Sequence, residues 1–147
     1  MKINLFCIAK KEDNTPISHY QKCLKSFGVN LQIKTLFSNK LTKTSSKAQI
    51  LQIYSELLSP FLGEYNFSLC IKGKLQDSFE FAKIFDNKSE VCFFIGGAFG
   101  LEEEFINKTN EISLSPLTFS HELAKIVLCE QIYRAFSIKN NHPYHKA

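Results

Sequence analysis

The sequence predicts an α/β domain, a mainly parallel sheet with flanking helices, spanning residues 1–147 as one unit. Three observations carry that reading. Strand-like and helix-like apolar patterns alternate along the whole chain. Residues 67–71 and 91–95 are short apolar runs suited to strands covered on both faces. Glycine or proline stands where several of the patterns end. With 147 residues, 44% of them hydrophobic and 22% charged, the chain has the length and composition of a single globular domain, which excludes a largely disordered protein.

Residues 2–9 read as the first strand. Thr15 can cap a helix with Pro16 in its first turn; Ile17, Tyr20, Leu24 and Phe27 follow at helical spacing, and Gly28 stops it. Residues 29–37 alternate as a second strand, and 38–44 form a polar, lysine-bearing loop. Ser46 and Gln49 have the form of a capping box ahead of an apolar stripe of Ile50, Ile53, Tyr54 and Leu57, which Pro60 ends. The run at 67–71 leads into Lys72-Gly73-Lys74. Asp77 with Glu80 reopens a helix whose apolar side is assigned to Phe79, Ala82 and Phe85. The strand at 91–95 runs straight into Gly96-Gly97. A short helix at 101–107, a short strand at 112–114 and a long helix over 120–138 complete the series.

Charge and cysteine usage narrow the setting. The formal net charge is +4, which permits an anionic partner without demanding one. Only Arg134 among the 18 cations is an arginine, so the basic surface offers lysine point charges and a single bidentate fork. The five cysteines, at 7, 23, 70, 92 and 129, make no CxxC pair and no zinc spacing. Four lie in apolar runs and read as small buried hydrophobes in a reducing compartment. The first nine residues lack the apolar core of a signal peptide, and no apolar stretch is long enough to span a bilayer. A cytoplasmic protein with no membrane role is expected. His121, His142 and His145 have no accompanying carboxylate, so no metal is expected either.

A parallel sheet binds ligands beyond the carboxyl ends of its strands. That points to three segments: 69–74, 96–100 and 115–121. The glycines at 96, 97 and 100 form GGxxG, which meets neither the dinucleotide fingerprint nor the P-loop. The loop fits a ligand cradle or a plain strand-to-helix turn equally well. Residues 115–121 combine small and apolar side chains stiffened by Pro116. They suit enclosure of an adenine, or an ordinary loop closed by a helix cap. In the last helix Glu130 and Arg134 are spaced for an ion pair. The tail beyond it, with His142, Tyr144, His145 and Lys146, reads either as mobile or as a contact for a single-stranded nucleotide.

The block from Glu130 to Ile138 followed by Asn141-His142-Pro143-Tyr144-His145-Lys146 resembles the C-terminal signature of the RlmH family of SPOUT methyltransferases. So do residues 94–101 and the Leu-Thr-Phe-Ser-His stretch at 117–121, and the resemblance runs in order over the whole chain. It implies a SPOUT methyltransferase fold with a C-terminal trefoil knot. It also implies methyl transfer from S-adenosylmethionine to N3 of a pseudouridine in 23S rRNA, and a homodimer with its site near the subunit interface. A protein that binds the ribosome without the chemistry is the alternative. Carried over by motif, the cofactor contacts are Leu69, Gly97, Ser115, Pro116, Leu117, Thr118, Phe119 and Ser120. For such a reaction the residue chemistry points to a catalytic group of His145, Tyr144 and Arg134: His145 is the first candidate for a base because imidazole titrates near neutrality, Tyr144 stacks on or positions the target base, and Arg134 holds a phosphate or the ring carbonyls, while His142, Lys139 and Lys146 are expected against RNA. Three positions depart from the family pattern: Cys70 for an acidic residue, Ser120 for proline and Lys125 for arginine.

Overall fold

The computed structural model describes residues 1–146. Its centre is a sheet of five parallel strands, β1 (Lys2–Ile8), β2 (Asn30–Leu36), β3 (Asn66–Leu75), β4 (Glu90–Ile95) and β5 (Asn110–Ser113), in the order β2-β1-β4-β3-β5. Six α-helices connect and cover them: α1 (Thr15–Lys25), α2 (Lys40–Lys43), α3 (Lys47–Leu58), α4 (Ser78–Ala82), α5 (Glu103–Ile106) and α6 (His121–Lys139). Parallel strands need crossovers, and these crossovers divide the helices between the two faces of the sheet.

Side-chain alternation makes both faces apolar. Ile3, Leu5 and Cys7 of β1 and Val91, Phe93 and Ile95 of β4 face α1, α4 and α6. Phe6 and Ile8, with Cys92 and Phe94, point the other way into a core with Ile50, Tyr54 and Leu58 of α3 and Phe105 of α5. This two-sided burial is why the central strands read as continuous apolar runs rather than as alternating ones.

Several local expectations change. Thr15 is the first residue of α1; Asn14 takes the cap position, and the Thr15 amide donates instead to Asp13 Oδ1 at 3.0 Å. The stretch at 38–44 contains the helical turn α2 rather than loop alone. Ser46 caps α3 by accepting from the Gln49 amide at 3.5 Å, while the full reciprocal box forms at Asp77 and Glu80. Phe79 does not face the core: it is 49% exposed, and Phe81 and Ile84 join Ala82 and Phe85 inside. A short helix keeps only about one turn against the sheet, so a shift of two residues changes which ring is buried.

β3 also runs further than its apolar stretch. It meets Ile112 of β5 twice, through Leu69 and again through Lys74, leaving four intervening residues out of the ladder. Gly73 permits this approach: a Cβ there would lie 2.5 Å from the Ile112 carbonyl carbon. Phe93 is fully buried between β1 and the helices and packs against Phe67, Phe81 and Phe85. Phe93→Ala is expected to cost about 3–5 kcal/mol by chemical denaturation, because that aromatic cluster cannot close over the void.

Candidate active site

Of the three segments chosen from sheet logic, residues 96–100 and 115–120 follow β4 and β5, whereas 69–74 lies within the extended β3 and not in a loop after it. Leu69 sits half-buried at the β3–β5 junction, and Cys70 follows it, its thiol pushed up to about 11 by burial and by Glu111. Residues 115–120 form the loop from β5 into α6. The Ser115 side chain accepts from the Leu117 amide at 3.0 Å. Ser120 caps α6 by accepting from the Leu123 amide at 3.2 Å. Among the described residues, the amides of Thr118, Phe119 and Ser120 have no intramolecular partner, and Leu117 is 72% exposed. Free amides beside apolar side chains suit a planar heterocycle.

The glycine loop is tighter than its sequence suggests. The Gly100 amide donates to the Gly97 carbonyl at 3.0 Å, and Gly100 has φ +78°. A Cβ on Gly97 would not enter open pocket space. It would come within 2.5 Å of Cζ in the buried Tyr54 ring of α3. The requirement for glycine at 97 is therefore imposed in part by Tyr54, a residue that the helical stripe identified only as core. Burial pushes the Tyr54 phenol up, while the neighbouring Ala98 amide acts in the opposite sense.

The tail is folded back on α6. Tyr144 Oη donates to Glu130 Oε1 at 2.8 Å, and Arg134 holds the same oxygen through Nε at 3.1 Å and Nη2 at 2.5 Å. The Arg134 guanidinium lies over the Tyr144 ring, 4.8 Å from its centroid. The other carboxylate oxygen of Glu130 accepts from Gln131, which in turn accepts from Ser78 of α4. Glu130 thus organises the cluster. Its spacing to Arg134 was visible in the sequence, but its bond to Tyr144 needed the tail to turn back.

His145 completes the group. Its Nδ1 is 3.2 Å from Arg134 Nη1, and its ring meets Phe79 edge-on at 4.9 Å. A guanidinium only donates, so Nδ1 accepts and the neutral imidazole carries its proton on Nε2. That nitrogen is buried and has no partner among the described residues. His142 is exposed, packs edge-on against Phe27 at 5.7 Å and accepts from the Tyr144 amide at 3.3 Å, whereas the two lysines do not join the cluster. Lys146 is exposed, and Lys139 is paired with Asp86. Lys125 is buried and donates to the Asp13 carbonyl at 3.2 Å, which ties α6 to the loop before α1.

Among the described residues no group of three metal-ligating side chains occurs, and no helix is long and apolar enough to cross a membrane.

A parallel five-stranded α/β sheet with ligand-type loops at one edge and a folded-back polar tail is matched by one family over nearly its full extent. The family described as "Predicted SPOUT methyltransferase" covers residues 1–145. Among curated relatives, one from Wolinella succinogenes is 44% identical, with 99% of this chain and 100% of the relative aligned. One from Helicobacter hepaticus is 43% identical and one from Campylobacter jejuni 41%, each over 99% of this chain and 100% of its own length. All three are named ribosomal RNA large subunit methyltransferase H. The chain belongs to the SPOUT methyltransferases and, among them, to the ribosomal RNA large subunit methyltransferase H family.

Glu130→Gln is expected to weaken the docked tail by about 1–2 kcal/mol, since Tyr144 and Arg134 both lose a charged acceptor. Faster hydrogen exchange in residues 141–146 with the rest of the chain unchanged would show it. The Tyr144 phenol is pushed up to about 12, chiefly by burial and then by its bond to Glu130. Its folded value lies above its ordinary value of 10.0, so its contribution to docking is whole below that pH. The contribution is lost as pH rises through about 12. Ultraviolet titration of the tyrosines should find Tyr144 among the last to ionise in wild type and earlier in Glu130→Gln.

Proposed function

We propose that this protein transfers a methyl group from S-adenosylmethionine to N3 of a pseudouridine in large-subunit ribosomal RNA, acting in the cytoplasm as a homodimer that carries the family's C-terminal trefoil knot. The observation that carries the reading is the pairing, in one small chain, of a ligand-type loop edge with a tail cluster built around Glu130. The donor pocket comprises Leu69, Gly97 and residues 115–120. The open amides at 118–120 and the exposed Leu117 fit an adenosyl group, which needs donors at its ring edge and apolar cover on its faces. When bound, S-adenosylmethionine supplies an already activated methyl on its sulfonium.

What remains for the chain is to position the uracil ring, exclude water and stabilise the charge that appears as the N3 proton leaves. Tyr144, held by Glu130, presents a rigid ring for stacking. His145 offers Nε2–H, the one buried donor of the cluster without a partner among the described residues, to a ring carbonyl. It serves as a base only if Arg134 releases Nδ1, so donation is the role its geometry favours. Arg134, its charge balanced by Glu130, contributes directed N–H donors near the developing anion rather than a net positive charge. His142, Lys139 and Lys146 remain the proposed RNA contacts.

Two features support a dimer in which one copy's tail completes the other's pocket. Along α6, Arg134 lies about 21 Å from Ser120 at 1.5 Å per residue, so one chain keeps its tail cluster well away from its own 115–120 loop. The exposed large hydrophobics are Ile71 and Leu75 in the extended end of β3, Phe79 of α4, Phe99 and Leu117 in the candidate loops, and Leu123 of α6. Such a concentration marks an interface.

Calorimetry should show S-adenosylmethionine binding to the wild-type chain. Mass spectrometry of ribosomal RNA from a deletion strain should lose one methyl from a large-subunit pseudouridine. An unchanged modification pattern would sink the activity. Truncation after Asn140 should abolish methylation by at least a hundredfold while leaving a folded protein, because positioning and charge stabilisation both reside in the tail. Methylation that persists in that variant would remove the tail from the mechanism.

A further inference from the structure

The glycine loop has one source of side-chain support. Among the described residues, the only side-chain hydrogen bond reaching residues 96–102 comes from α3, where Ser55 Oγ donates to Glu102 at 2.5 Å. The adjacent residue of α3, Tyr54, meets the other end of the same loop. Its buried side chain lies so close to Gly97 that a Cβ there would meet the phenol oxygen first, then Cζ at 2.5 Å and Cε2 at 3.0 Å, all inside contact distance. Its hydroxyl faces the Ala98 amide. Between these two points Ala98, Phe99 and Gly100 are exposed, and Gly100 lies in the left-handed region.

A loop with three glycines in five residues has many conformations open to it, and holding one of them costs conformational entropy unless packing does so in advance. Strand β4 fixes only its entry, and α5 only its exit. The exposed turn must keep one shape if it is to align a methyl donor, since small displacements at a reacting centre are costly.

We propose that Tyr54 is a positioning residue for the methyl-donor pocket. The ring is wedged behind Gly97 on the side away from the ligand and sets the height of the turn. Ser55 pins the far end through Glu102. The glycine at 97 and the tyrosine at 54 are then one device: the small residue exists to admit the large one. This rests on the reading of the glycine loop as part of the donor pocket.

The test is a cycle of Tyr54→Ala and Gly97→Ala, with Tyr54→Phe as the conservative variant. Affinity for S-adenosylmethionine is read by calorimetry, and the KM for ribosomal substrate by methyl transfer, at a temperature where every variant is folded. Tyr54→Ala should weaken donor binding roughly tenfold and leave the KM for ribosomes unchanged, since the wedge acts on one pocket only. Tyr54→Phe keeps the ring but removes the oxygen nearest Gly97, so its donor affinity should fall between those of wild type and Tyr54→Ala, nearer to wild type. Gly97→Ala should weaken donor binding in the wild-type background and much less in Tyr54→Ala, where the new methyl has the ring's space to occupy. If Tyr54→Ala does not fold, Tyr54→Leu carries the same cycle. Equal donor affinity in wild type and Tyr54→Ala would overturn the proposal, as would a Gly97→Ala effect of the same size in both backgrounds. A wild-type chain that binds no donor would instead remove the pocket reading on which the proposal stands.

Discussion

Parallel pairing of β1 and β4, buried on both faces, is the constraint on which the rest of the structure depends. Two parallel neighbours cannot be joined by a hairpin, so the chain must return across a face of the sheet each time. Every strand then ends at the same edge, and every strand-to-helix loop opens there. Gly97 and Ser115 lie apart in the chain and are brought to that edge by strand direction alone. The same constraint demands two apolar faces, which the alternation of Leu5 with Phe6, and of Phe93 with Phe94, supplies.

On that frame the two halves of the candidate site are built differently. The loop edge is backbone: open amides, glycines and a loop that α3 touches through Tyr54 and Ser55. The tail cluster is side chain: one carboxylate, Glu130, accepts from both Arg134 and Tyr144, and Arg134 then fixes the tautomer of His145. A backbone pocket tolerates side-chain changes. A side-chain cluster does not, because removing Glu130 leaves a guanidinium and a phenol without their shared acceptor.

Most of the elements were legible in the sequence because their signals are local. The Asp77–Glu80 box, the apolar runs of the central strands and the long periodic stretch of α6 each depend on residues a few positions apart. The failures were also local in cause. Asn14 rather than Thr15 took the cap of α1, and Phe79 turned outward because a helix of five residues has too little periodicity to specify a face. Of the site, the loops at 96–100 and 115–120 could be named from strand direction, but the hub at Glu130 read as an ordinary helix pair, and Tyr54 as one more core residue.

By itself the sequence determined the fold class and, through the tail motif, the family. Both follow from periodicity and from motifs contiguous in the chain. Tertiary structure alone decided that the tail docks on α6, that His145 presents Nε2–H rather than a free Nδ1, and that Gly97 is small because Tyr54 stands behind it. Each of those is a contact between residues more than ten positions apart, set by how helices settle on the sheet, and no spacing along the chain encodes it.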